Sequence, residues 1–143
     1  MPRRLFLPVL AVMLVACGAL PEPTADPFFF PRHTGAVGAA DAARLEGVAV
    51  MGDGCLLLQA ADGDLYLPLW PQNTQLGMIN SLPAILSADR ELLVEVGDTD
   101  PNDRVELTGS EVPEERATEL AGTMPERCAV GRYWVVGDVL TRP

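Results

Sequence analysis

From residue 47 onward the chain is patterned for strands. Gly47-Val48-Ala49-Val50-Met51 is a short β-type run closed by Gly52-Asp53-Gly54. Cys55-Leu56-Leu57-Leu58-Gln59 follows, a run apolar on both faces, as a strand buried on both sides requires. Asp62-Gly63 is a hairpin signal. After it, Leu65, Leu67 and Leu69 alternate onto one face of Leu65–Trp70, and Pro68 predicts an edge position or a bulge because it cannot donate to a ladder. Leu92, Val94 and Val96 share one face of a further strand, and Val105-Glu106-Leu107-Thr108-Gly109 alternates as a half-buried strand should. Tyr133–Leu140 is the last apolar run.

Two stretches depart from this pattern. Ser110 to Gly122 predicts a helix, with Pro113 in its first turn, Glu114 and Glu115 favouring the positive end, and Gly122 as a stop. Residues 71–88 support two readings. Gln72-Asn73-Thr74 and Gly77 suggest loop, whereas Met78–Leu86 suits a short helix broken by Pro83. The sequence of hairpin, irregular middle, strand, excursion and closing strand resembles a small antiparallel β-barrel of the OB type with one short helix. That is a likeness of architecture, and a fold does not by itself carry a function.

The N-terminus is built differently. Met1-Pro2-Arg3-Arg4 is basic, and Leu5 to Ala16 is apolar and uncharged. Such a basic, greasy and small-residue order is that of a secretory signal. The run is too short for a spanning helix, which needs about 20 apolar residues. Leu14-Val15-Ala16-Cys17-Gly18 resembles the lipobox of bacterial lipoproteins. The resemblance implies cleavage before Cys17, a diacylglyceryl group on its sulfur, and a protein held on the extracytoplasmic side of an inner or outer bacterial membrane. Two acyl chains meet the requirement for stable anchoring.

Residues 1–16 then form a signal peptide, 17–40 a lipidated cysteine and flexible Pro/Ala/Gly tether, and 41–143 a small β-rich domain. Pro21, Pro23, Pro27 and Pro31 favour extended chain and argue against sheet in the tether. Its 23 residues from Gly18 to Ala40 could reach roughly 70 Å at about 3.1 Å each. Phe28-Phe29-Phe30 interrupts it, and these rings are expected on the folded domain in preference to the membrane interface.

Charge narrows the partners. The chain has 10 basic and 20 acidic residues. Without Arg3 and Arg4, eight basic residues face twenty acidic ones, a net charge of −12. That opposes nucleic-acid binding, which rests on cations neutralising phosphates, and attachment to anionic lipid through a basic patch. With Cys17 acylated, Cys55 and Cys128 remain in a setting that permits disulfides, and an even remainder predicts one bridge. Such a bridge would pin the last strand beside the first.

Candidate chemistry is sparse. Asp98, Asp100 and Asn102 hold the first, third and fifth positions of a calcium loop. The pattern then fails, with Asp103 where glycine belongs and Gly109 where the closing glutamate belongs. An acidic turn explains the cluster without metal. Ser81, Ser87 and Ser110 have no lysine to act as base, and the lone His33 falls in the tether. Among twenty acids no pair such as Glu91 and Glu95 stands out for carboxylate chemistry. Trp70 and Trp134 could stack on a sugar or apolar ligand, although core or barrel-mouth packing suits them better. No cofactor is implied. The expectation is a non-enzymatic envelope lipoprotein that binds or scaffolds an envelope protein or polysaccharide. A small-ligand or calcium-binding module and a carboxylate-based hydrolase are the alternatives.

Overall fold

The computed structural model describes residues 28–35, 43–97 and 104–140. Cys17 and the Asp98, Asp100 and Asn102 cluster lie outside these residues. Among the described residues the strands are β1 (Arg32–His33), β2 (Ala43–Gly52), β3 (Cys55–Ala60), β4 (Leu65–Pro71), β5 (Gln75–Ile79), β6 (Leu82–Leu86), β7 (Leu92–Glu95), β8 (Arg104–Val112) and β9 (Tyr133–Leu140). One helix, α1 (Glu114–Ala121), lies between β8 and β9.

Short turns set the pairing. Asp53 and Gly54, at φ 49° and 74°, join β2 to β3 by the mirror-image turn that matches the strand twist. At the β3–β4 turn the Ala60 N–H donates to the Asp64 carbonyl, and the Asp64 N–H to the Asp62 carboxylate. β2 also pairs antiparallel with β8, and β8 with β9. β9 then pairs with β4 in parallel. Those contacts close β2, β3, β4, β9 and β8 into a five-stranded barrel of the OB type. One seam is therefore parallel in an otherwise antiparallel barrel, and β9 neighbours β4 and β8, not the first barrel strand as expected.

The two faces of the barrel wall build two cores. Leu45, Ala49, Leu56, Leu58, Tyr66, Trp70, Val105, Leu107, Trp134 and Val136 fill the inner core, joined by Ile85, Val94 and Val96 from the β5–β7 region. Leu57, Leu67, Leu69, Tyr133 and Val135 form an outer face with Ala117, while Leu120 and Ala121 pack against it. Positions 117, 120 and 121 follow helical spacing, so α1 covers this face with one stripe. The helix begins only after Pro113. Ser110–Val112, expected within it, instead extend β8, where they pair with Val135, Trp134 and Tyr133.

The Cys55–Cys128 disulfide lies in the outer core, with a Cα–Cα distance of 5.6 Å. It joins the start of β3 to the 3₁₀ turn Glu126–Cys128 ahead of β9. Closing a loop of 73 residues removes about 4 kcal/mol of chain entropy from the unfolded state.

Residues 71–88 form neither loop nor helix throughout. Asn80 and Ser81, at φ 51° and 68°, make a two-residue turn between β5 and β6. With β7 these strands form a three-stranded sheet outside the barrel order. Pro83 is accommodated because it stands opposite Met78 in a non-hydrogen-bonded pair, where β5 needs no N–H from it, and its carbonyl accepts from the Val96 N–H.

Gly109 marks a register shift in β8, with φ at 156°. A Cβ here would overlap the Val135 carbonyl and the Trp134 indole nitrogen. The bulge bends β8 around the barrel, as small barrels require. Gly109→Ala is therefore expected to cost about 3 kcal/mol. Gly97→Ala, where nothing lies within 4 Å of the added Cβ, should stay within about 0.5 kcal/mol. Urea unfolding of the oxidised protein measures both.

Candidate functional site

The segment Phe28–Gly35, within the stretch expected to be tether, lies against the barrel. The Phe29 N–H donates to the Gly54 carbonyl at 2.7 Å, and the Trp70 N–H to the Pro31 carbonyl at 2.9 Å. Phe30 stacks on Trp70 with ring centroids 5.9 Å apart, and Phe29 packs on the outer core. Prolines do not prevent this pairing because β1 is an edge strand with one partner, β4. Phe28 is 38% exposed. Only residues 18–27 separate it from Cys17, a span of roughly 40 Å at full extension.

His33, read from sequence as a tether residue, is 4% exposed. Its Nε2–H donates to the Val136 carbonyl at 2.8 Å. The register explains the contact. Leu67 pairs with Tyr133 and donates its N–H to the Arg132 carbonyl. Four residues further along β4, the matching donor for the Val136 carbonyl would be Pro71, which has no N–H. The imidazole supplies the missing donor and fixes the tautomer with Nε2 protonated.

Trp70 and Trp134 are 0% and 5% exposed. Both are in the inner core, with Trp134 edge-on to Tyr66 at 6.2 Å. Neither ring offers a face for stacking on a sugar. A surface groove of about 460 Å³ does open beside them, lined by Phe29, Phe30, Pro31, Arg32, Gln72 and Ala121.

Glu46 and Glu106 stand opposite one another across β2 and β8, and Asp64 and Glu111 share Arg132. The guanidinium meets Glu111 through two hydrogen bonds of 2.9 and 3.1 Å, also bonds Asp64, and lies 4.3 Å over the Tyr66 ring. The hydrogen bonds from Arg132 hold the Glu111 carboxyl below its usual range. Burial pushes the Tyr66 hydroxyl up. Arg132 therefore favours an ionised Glu111, whereas the acid of a hydrolytic pair must be kept protonated. Any stability that Glu111 contributes is present above the ordinary carboxylate pKa. It is lost as pH falls through the lowered value.

The feature missed by sequence reasoning is the β5–β6 hairpin. Met78 is 61% and Leu82 55% exposed, the two most exposed large apolar side chains among the described residues. A sequence signal existed: from Leu65 to Ala88, 24 residues carry no Asp, Glu, Lys or Arg. In a chain 21% charged, β4 explains the first part of this run by burial, and the exposed hairpin does not.

Among the described residues no cluster of three or more His, Cys, Asp or Glu could hold a metal ion, and no helix is long and apolar enough to cross a membrane. The chain matches no known protein family, no curated protein and no solved structure.

His33→Ala would leave the Val136 carbonyl buried without its donor. A buried unpaired acceptor costs about 1–3 kcal/mol, and thermal unfolding of the variant should show a loss of that order. His33→Gln, which restores an N–H donor, should recover part of it.

Proposed function

We propose that the protein is a lipid-anchored envelope lipoprotein whose barrel is a non-enzymatic binding or scaffolding module, with the β5–β6 hairpin as its contact face. The observation that carries this reading is the hairpin. Met78 and Leu82 stand exposed on the two faces of a charge-free hairpin end in a strongly acidic protein. Large apolar side chains exposed together at one hairpin end would suit a surface that meets a partner. Leu14-Val15-Ala16-Cys17 supports the anchor, with an envelope protein or polysaccharide as the partner class. The ten-residue link from Cys17 to Phe28 would keep the barrel within a short distance of the lipid surface.

A second reading, a small-ligand module, draws on the groove beside Phe30. Phe29 and Phe30 line it together with Arg32 and Gln72, so it would suit a flat ligand carrying an acceptor group.

The anchor has a direct test. Cells producing the full chain should incorporate labelled palmitate into it and hold it in the membrane fraction, and Cys17→Ser should abolish the label and release or mis-sort the chain. Wild-type label on the Cys17→Ser protein would overturn the reading.

A further inference from the structure

We propose that the β5 edge pairs with β5 of a second copy, about a twofold axis at Gly77, joining two three-stranded sheets into one of six strands.

The backbone directs the pairing. In a two-residue hairpin the residues flanking the turn exchange hydrogen bonds, and the direction alternates from there. Ile79, Gly77 and Gln75 therefore turn their N–H and C=O groups toward β6, opposite Leu82, Ala84 and Leu86. Leu76 and Met78 turn theirs outward. β5 ends the order of its sheet, and no described residue bonds that outer side.

The edge also lacks the protections that exposed edges carry. Gln-Leu-Gly-Met-Ile holds no charge, no proline and no bulge, the devices by which soluble proteins block edge pairing. On an antiparallel copy, Leu76 faces the partner's Met78 and Met78 the partner's Leu76. That register engages every outward group of both residues on both strands. Gly77 falls opposite its own copy, where side chains would come closest, and it has none. The arrangement also covers Met78, the most exposed apolar residue, because Leu76 and Met78 share one strand face.

Charge selects a second copy over another partner. Each mature chain carries −12, so two copies meeting through most of the surface would repel. A basic partner would be attracted by acidic residues and would gain nothing from their absence. A hairpin turn and edge free of charge over residues 75–82 is what two acidic copies need in order to touch. The pairing is small, and its strength in the cell rests on the proposed lipid anchor, which confines copies to one surface and raises their effective concentration.

Cysteine cross-linking in cells tests the register on the full chain. Differently tagged Leu76→Cys and Met78→Cys chains are produced together and oxidised. Residues in a hydrogen-bonded pair have Cα atoms about 5.5 Å apart, within disulfide reach, whereas like residues sit on a diagonal beyond about 7 Å. The mixed pair should cross-link roughly tenfold or more above either like-with-like pair, and more at higher ionic strength, where repulsion is screened. Resistance of Cys55 and Cys128 to alkylation verifies that each variant is folded. As a second readout, the Leu76 and Met78 amides of the unsubstituted chain should exchange more slowly as its concentration rises. Equal yields for mixed and like pairs, or capture of Met78→Cys by a different protein alone, would overturn self-pairing. Repeating the mixed pair with Cys17→Ser separates the two readings. A lower yield supports the anchor's part, and an unchanged yield removes that part while the pairing stands.

Discussion

Strand β4 must satisfy three neighbours within seven residues, and its two prolines decide how. Its N–H groups alternate between β9 on one side and β3 followed by β1 on the other. Pairing with β3 ends at Tyr66 and pairing with β1 begins at Trp70. Pro68 falls in the gap between them, where a donor would find nothing. Pro71 falls on the β9 side, where a donor is needed, and His33 of the adjacent strand reaches across to supply it. A buried carbonyl without a donor costs more than an ordinary hydrogen bond contributes. The position of the Phe28–Gly35 segment is thus coupled to barrel closure.

The disulfide acts at the same junction. Cys55 opens β3 and bridges to Phe29, while Cys128 precedes β9. The covalent link therefore holds together the strands on either side of β4 and the segment that leads back toward Cys17. Closure removes the edges of the five barrel strands, and β1 covers the part of β4 that β3 leaves free. What remains open among the described residues is the far side of the two-residue β1 and the edges of the outer sheet. The same chain is closed at β4, where the Phe28–Gly35 segment docks, and open at the charge-free hairpin.

Much of the barrel was legible in the sequence because its signals are local. Alternation gave the strands, Asp53-Gly54 and Asp62-Gly63 gave turns, and Pro113 and Gly122 bracketed the helix. Two cysteines left over in a chain expected to be exported predicted the bridge. The errors arose where distant residues decide the outcome. Pro31 read as tether because its pairing partner, Trp70, is some forty positions away in sequence. His33 looked idle because nothing local reveals that Pro71 leaves a carbonyl unpaired. The Asn80-Ser81 turn was obscured by an unusual second residue, since serine at positive φ is disfavoured relative to glycine. Trp70 and Trp134 were visible as large aromatics, but alternation alone does not say which side of a barrel wall is inside. The absence of charge across 65–88 was readable, and it becomes informative once part of that run is seen at the surface.

The central claim is that Phe28–Gly35 completes the fold at β4, while the outer edge of β5 stays open in the isolated chain. Residue-resolved amide exchange of the full chain at low concentration reads both at once. The Leu67 and Trp70 amides, which donate to Arg132 and Pro31, should exchange only with global unfolding, and the Leu76 and Met78 amides should exchange far faster. Rapid exchange at Trp70 alongside protection at Leu67 would contradict the account, because it would show a closed barrel from which the N-terminal segment is detached.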